Sequence, residues 1–467
     1  MKRIAALTLA LCLTLTGCQG DFLPYARDIE AIELIRTLGI DVGEKQENVM
    51  VTVSGGVQRT GDNGQGEKPS LFSQEGRTLY DACSVIQTFS DDYISFGHVT
   101  EWVLGEDVAR QGVTNLLDFM ERDEQMRLST KVFVVKGGTA EELLRSVATE
   151  KSAATDRLSA IELDYQLKSI AYPYTVKELL SQLEENGCGL VPALVLEGKE
   201  GQESAAQSQS AATSPSPSPG QGSEGGGGAS SGEGQGQEKQ EGQTGQEGQE
   251  KQEGQEDQQG QGKQKEGSQE GQEGQGGQGK QEEKSIRSVG CGYFKDNRLI
   301  GFLDERQARG TNLLLNQARS GTVEVELPGG EVAALRMVKS RCKWELHVED
   351  DVLVGITARL EVEADLAEIR GESDPDDPQV LELLRQGLSD EMKREVEDVF
   401  QLSQREEADF LHLRRRAAME RPWLQADIEG HWDEWFPQLE LNAEVKGVVR
   451  RSYDVDTPMK GAGEESK

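Results

Sequence analysis

Apolar residues fall into two blocks along this chain, separated by a long stretch that has almost none. In the first block, residues 28–37 alternate charges with Ile29, Ile32, Leu34 and Ile35. That spacing predicts a helix, and Gly39 follows where a C-cap would sit. Val49, Val51 and Val53 recur with period two and predict a strand. Leu79, Ala82, Cys83, Ile86 and Phe89 share one helical face within residues 76–89, and residues 99–104 read as a buried strand. A helix over 107–120 and a strand over 130–135 follow. Two amphipathic helices are then predicted over 139–149 and 175–185, the second opened by Thr175 and Glu178 at capping-box spacing. Helices and strands alternate irregularly, which favours a mixed α+β domain over a regular parallel sheet.

The second block opens with a strand pair over 291–304, turning at Lys295-Asp296-Asn297. Residues 322–365 alternate strongly, from Val323, Val325 and Leu327 through Leu335 and Met337, Trp344 and Leu346, to 352–362. Gly329-Gly330 and Glu349-Asp350-Asp351 punctuate this run, so it predicts a meander of three or four strands. Asp377 as N-cap and Pro378 at the first helical position open a helix. Its apolar stripe runs through Leu381, Leu384, Leu388, Met392, Val396, Val399 and Phe400, with Gly387-Leu388-Ser389 as a candidate break. A strand over 439–449 closes a second α+β domain. The fold class is therefore α+β: a multi-domain mixed α/β chain with antiparallel sheets, interrupted by a long disordered low-complexity tract.

That tract, residues 197–284, is Ser/Pro-rich at first and then repeats Gly, Gln, Glu and Lys. Such a composition cannot bury enough apolar surface to offset the entropy of ordering its backbone, so it predicts disorder. A Gly-rich coil of this length spans about 50 Å. Of the chain's net charge of -34 the tract carries about -10, so the rest of the chain is acidic in its own right. This balance argues against nucleic acid as a partner and against a polybasic anchor on anionic lipid.

The N-terminus carries the most specific chemistry. Lys2 and Arg3 precede a short apolar run that ends in Leu15-Thr16-Gly17-Cys18. The run is too brief to span a bilayer, and small residues directly before a cysteine form the layout of a lipoprotein signal. Cys18 is the expected lipid-attachment residue, carrying diacylglycerol, with residues 1–17 removed as signal peptide. Each buried acyl CH₂ contributes about 0.8 kcal/mol, so two chains hold a protein durably on a membrane outside the cytoplasm. Of the six cysteines, Cys12 leaves with the signal. Cys83, Cys188, Cys291 and Cys342 form no C-x-x-C pair and no spacing with His that would suit a metal. Cys188 and Cys291 flank the tract, where a disulfide is conceivable; burial as small apolar residues is the favoured reading.

Candidate catalytic groups are few. His98, at the start of the predicted strand, reads as a hydrogen-bonded structural histidine, and His347, His412 and His431 are scattered. Glu106 with Asp107, and Glu121 with Asp123, are better explained as helix-terminal charge than as acid–base pairs. Ser54-Gly55-Gly56 and Gly137-Gly138-Thr139 lack phosphate-loop spacing, and no G-x-S-x-G elbow occurs. No catalytic residue, metal ligand or cofactor is assigned. Trp423, Trp432, Trp435 and Phe436 are expected to pack a C-terminal helix onto the meander.

Several segments, in order, resemble the Ger(x)C family, the lipoprotein C subunits of spore germinant receptors. They are Leu38-Gly39-Ile40-Asp41, Gly76-Arg77-Thr78, Phe96-Gly97-His98, Leu104-Gly105-Glu106-Asp107-Val108-Ala109-Arg110, and Leu117-Asp118-Phe119 with Arg122-Asp123. The run from Phe294 to Asp304 follows, then Ala408-Asp409, Trp432, Trp435-Phe436 and Arg450-Arg451. The resemblance implies mixed α/β domains without a catalytic centre, on the outer face of the spore inner membrane. It also implies integral-membrane A- and B-type receptor subunits as partners. By the same resemblance the N-terminal region runs over 18–196 and is closed by 286–310. Residues 197–285 are then an insertion within that region, with 311–455 a C-terminal domain and 456–467 a tail. A solute-binding lipoprotein of a transporter is the alternative, but it needs two α/β lobes around a cleft, which the antiparallel meander does not supply.

Overall fold

The computed structural model describes residues 32–55, 70–148, 154–197 and 285–450. Its first sheet begins with β1 (Ile32–Val42), β2 (Val49–Gly55) and β3 (Leu71–Gly76), joined antiparallel. Helix α1 (Leu79–Gln87) follows, then the short β4 (Tyr93–Ser95), β5 (Glu101–Leu104), helices α2 (Glu106–Gln111) and α3 (Thr114–Arg122), and β6 (Lys131–Val135). Helices α4 (Ala140–Val147), α5 (Ala154–Lys168) and α6 (Val176–Asn186) lead to β7 (Cys188–Glu197), and β8 (Ser285–Lys295) and β9 (Arg298–Leu303) complete the sheet. The strand order is β3-β2-β1-β5-β6-β7-β8-β9, with β4 beside β1.

Mixed α/β architecture is thus present, and its centre is a parallel block: β1, β5, β6 and β7 run the same way. Helical crossovers put helices on both faces, which is why β5 and β6 read as continuous apolar runs. On one face Leu38, Ile40, Trp102, Leu104, Val132, Val134 and Val191 pack with α1, α3 and α6. On the other, Val103, Phe133, Val135 and Leu194 pack with Leu143, Leu144, Leu158 and Ile161 of α4 and α5.

The helix predicted over 28–37 is corrected. Residues 28–31 lie outside the described residues, and from Ile32 onward the chain is strand β1. A register shift between Ile35 and Thr37 breaks its period, and polar Glu33 and Thr37 face inward, so the sequence lacks the alternation of a strand. The predicted helix over 107–120 is two helices, separated at Gly112, whose φ of 129° only glycine adopts readily. Phe89 lies beyond the end of α1 and is 60% exposed. His98 is exposed in the turn before β5 and does not sit inside a strand. Strands β3 and β7 and helix α5, unmarked in the sequence reading, are present.

Strands β7 and β8 are antiparallel neighbours whose ladder continues to Glu197 opposite Ser285. Residues 198–284 therefore leave and re-enter the fold at adjacent ladder positions; they lie outside the described residues. Arg287 bridges the mouth, 2.7 Å from Glu197 and 2.6 Å from Glu305. Cys188 and Cys291 sit on these two strands, but Cys188 pairs with Lys295 and Cys291 with Pro192. That offset of four residues along the ladder is roughly 13 Å, too far for a disulfide. Both cysteines, like Cys83 and Cys342, are free and buried.

After α7 (Glu305–Leu314), the second sheet comprises β10 (Gly321–Leu327), β11 (Glu331–Glu349), β12 (Val352–Arg370) and β13 (Glu440–Arg450). The meander is three strands, because β11 continues through its bulges for 19 residues. Helix α8 (Pro378–Arg405) starts at Asp377 and Pro378 as predicted, but runs unbroken through Gly387. That glycine is there for closeness: a Cβ would lie 2.1 Å from Val325 Cγ1. With α9 (Leu413–Glu420) and α10 (Gln425–Trp435), α8 forms the crossover that makes β13 parallel to β12. Trp432 and Phe436 stack 5.4 Å apart in the core, whereas Trp423 is 71% exposed.

Three ion pairs clamp α7 to α8, including Arg306 Nε at 3.8 Å from Glu395. Arg309 meets Glu395 by Nε at 2.9 Å and by its other guanidinium arm, with the carboxylate only 2% exposed, and Arg306 meets Glu391. One core joins both regions, running from Ile170, Tyr174, Leu190 and Tyr293 to Leu384, Phe400 and Phe410.

Candidate functional site

Most of the charged motif residues hold the backbone in place. Asp41, at the end of β1, accepts hydrogen bonds from Ala140 N at 2.8 Å and Glu141 N at 2.9 Å, fixing the first turn of α4. Gly39 and Gly105 permit that approach: a Cβ would stand 2.8 Å from Leu144 Cδ1 at the first and 2.0 Å from Asp41 Oδ1 at the second. Burial pushes the Asp41 carboxyl up to about 6, against the pull of those two N–H donors. Glu106 accepts from Gly137 N at 2.6 Å and pairs with Arg110. Arg110 reaches Ile300 O at 3.1 Å, covering carbonyls on edge strand β9. Asp296 and Asn297 both take positive φ in the β8–β9 turn, and Asn297 O accepts from Val113 N at 2.9 Å. These motifs, scattered in sequence, meet at one end of the first sheet.

Glu101 is a buried carboxylate that the sequence reading did not mark. It is 2% exposed and accepts from Thr100 Oγ1 at 2.7 Å and Thr155 Oγ1 at 2.5 Å. Burial raises its pKa, while those hydroxyls lower it. Asp118 forms a surface pair with Arg122 at 2.7 Å, and Asp123 caps the following turn through Gln125 N at 2.9 Å. Among the described residues, no group of three or more His, Cys, Asp or Glu side chains is placed to hold a metal ion. Cys18 lies outside the described residues.

The second concentration of chemistry is at the seam between the two regions. Helix α6 opens on the capping box expected at Thr175 and Glu178. Alongside it, Asp409 accepts from Leu413 N at 2.9 Å and Arg414 N at 2.8 Å, capping α9. Burial drives the Asp409 carboxyl up to about 7. The intervening His412 has φ of 58° and ψ of 35°, a left-handed conformation uncommon for a side-chain-bearing residue. Its Nδ1 is buried without a hydrogen-bond partner, and burial, with Arg415 nearby, pushes the imidazole down to about 4, so the ring is neutral. Arg415 pairs with Glu185 at 2.5 Å, and Arg414 donates to Glu185 O at 2.7 Å, tying α9 to α6. Between the two helices lies an open cleft of about 800 Å³. Sequence spacing could not reveal it, because its walls are more than 200 residues apart along the chain.

A smaller cleft, about 600 Å³, lies at the turn end of the second sheet beside Trp435, His347 and Glu440. His347 Nε2 is 2.7 Å from Thr357 Oγ1, and His431 stacks on Trp435 at 5.7 Å.

A two-region germination protein is what the comparisons then identify. The family model described as "Spore germination protein N-terminal domain" matches residues 25–196, and "Spore germination B3/ GerAC like, C-terminal" matches residues 289–453. Together they take in well over half of the sequence, and the chain belongs to the GerAC-like spore germination family, with a role in germination. YfkR of Bacillus subtilis (strain 168), named as a spore germination protein, is 28% identical over 189 residues. That alignment covers 39% of this chain and 46% of YfkR, less than half of the relative's length. The crystal structure of the GerBC protein is similar with a TM-score of 0.48 and 15% identity, over 88% of this chain and 96% of that one. The seam cleft lies where the two matched regions meet, with α6 inside the first and α9 inside the second.

Proposed function

We propose that this chain is a lipid-anchored, non-enzymatic subunit of a spore germinant receptor. It is tethered through diacylglyceryl-Cys18 to the outer face of the spore inner membrane and contributes to receptor assembly or signalling beside integral-membrane A- and B-type subunits. The observation that carries the reading is the succession of the two family regions behind Leu15-Thr16-Gly17-Cys18. No helix among the described residues is long and apolar enough to cross a membrane. In this reading the two acyl chains on Cys18 supply the attachment. The strongly bonded carboxylates support a scaffold role: Asp41 and Asp409 each receive two backbone N–H groups at a helix start. We also propose a division into an N-terminal region, 18–196 closed by 286–310, and a C-terminal domain, 311–455.

Cys18→Ala tests the anchor. The variant should lack the acyl mass increment and leave the spore inner-membrane fraction. Full membrane retention without acylation would refute it. Dipicolinate release from spores lacking the protein tests the role, which predicts a lost response to at least one germinant; a normal response to every germinant would count against it.

A further inference from the structure

We propose that the turn joining α9 to α10 touches a phospholipid bilayer, with Met419 and Trp423 seated at the headgroup boundary. Among the described residues these are the two most exposed large apolar side chains, at 69% and 71%. Met419 lies in the last turn of α9, and Trp423 in the short turn Pro422–Leu424 that follows. The Arg421 guanidinium stands over the Trp423 ring, 5.7 Å from its centroid. An indole has an apolar body and a polar N–H, the kind of side chain that settles where hydrocarbon meets headgroup, and Arg421 brings a cation to the same level.

Topology sets the direction in which this turn points. The parallel strands β1, β5 and β6 are in register at Thr37, Glu101 and Lys131, so Ile32 projects beyond that end of the first sheet. Thr175, which opens α6, bridges to Lys131 at the same end. Helix α9 begins beside Glu185, near the far end of α6, and Met419 lines the seam cleft with Thr175 and Lys177, so α9 runs back towards the opening of α6. The apolar tip and the entry of the chain from Cys18 therefore share one end of the fold. The proposal rests on the anchored reading for the nearness of a bilayer: residues 19–31 reach at most about 50 Å. Around the tip Glu420, Asp427 and Glu429 accompany Arg416, Arg421 and Lys177. Such a balanced rim has no net pull towards an anionic surface and suits zwitterionic headgroups.

The test tethers residues 18–467 through the Cys18 thiol to a maleimide-headgroup phospholipid in phosphatidylcholine vesicles. The other four thiols are buried, which directs the coupling to Cys18. Tethering by chemistry makes the result independent of acylation in the cell, which Cys18→Ala tests separately. Tryptophan emission is compared between vesicles with plain and with brominated acyl chains. Bromine should quench part of the emission, and Trp423→Phe, a change at an exposed position, should remove most of that quenching, because Trp102 and Trp432 are buried. Met419→Asp should reduce it by setting a charge at the boundary. Absence of quenching would overturn the proposal and assign the tip to a protein partner. Quenching unchanged in folded Trp423→Phe, or in folded Met419→Asp, would overturn it as well.

Discussion

Replacing residues 198–284 by a four-residue turn should stabilise the fold. The ladder between β7 and β8 runs to Glu197 opposite Ser285, so the segment closes a hairpin whose ends are one strand spacing apart. Hairpins are ordinarily closed by two to five residues, and Asn-Gly suits the tightest of these. For a flexible loop the closure entropy scales as (3/2)RT ln n, so shortening about 87 residues to 4 recovers about 2.7 kcal/mol. Stiffness of the short turn reduces this gain, and Arg287 with Glu197 and Glu305 is retained at the mouth. Urea denaturation of the two chains, each lacking residues 1–18, measures the difference at constant m-value. Loss of more than about 1 kcal/mol on shortening would refute the reasoning, since it would mean that the tract contributes native contacts.

The buried pairs and close approaches give three further tests. Arg309→Ala should cost about 3 kcal/mol in denaturant melts, because it leaves Glu395, 2% exposed, with only the more distant Arg306 at 3.8 Å; a loss below 1 kcal/mol would count against a buried clamp. Gly387→Ala raises helix propensity yet should destabilise by about 1–3 kcal/mol, because its Cβ meets Val325; a stabilised variant would show that α8 can shift away from β10. Asp409 holds a proton in the fold up to about pH 7 that the unfolded chain releases near its ordinary value of 3.8, so its contribution to stability is full below that value and falls as pH rises to about 7. Asp409→Asn should flatten the stability–pH profile across that window by about 4 kcal/mol, and an unchanged slope from pH 4 to 8 would exclude Asp409 as its source.

What was legible in the sequence was whatever kept a single period. Helix α8 shows its N-cap, its proline and its stripe, and β10 alternates strictly, so both were read correctly. Helix α5 was missed because Leu158, Ile161 and Tyr165 face the core while Leu163 and Leu167 are exposed among Arg157, Ser159 and Gln166, which blurs the apolar stripe. Strand β7 carries Pro192, which argues against an internal strand; the chain accommodates it at a register shift between Pro192 and Leu194. In β1 the inward Glu33 and Thr37 carry no apolar signal. Their burial makes sense only once Ser90 stands 3.4 Å from Glu33 and Glu101 stands 3.4 Å from Thr37.

The seam cleft was illegible for a different reason. Each wall is explained locally: Thr175 and Glu178 by a capping box, and Asp409 by the cap on α9. Neither explains His412, which lies between a cap and its helix with a left-handed backbone and an unpaired ring nitrogen. Local rules fail at that residue because part of its environment comes from α6, more than 200 residues earlier in sequence. β7 and β8 are ladder neighbours, and α6 and α9 are tied together by Arg415 on Glu185.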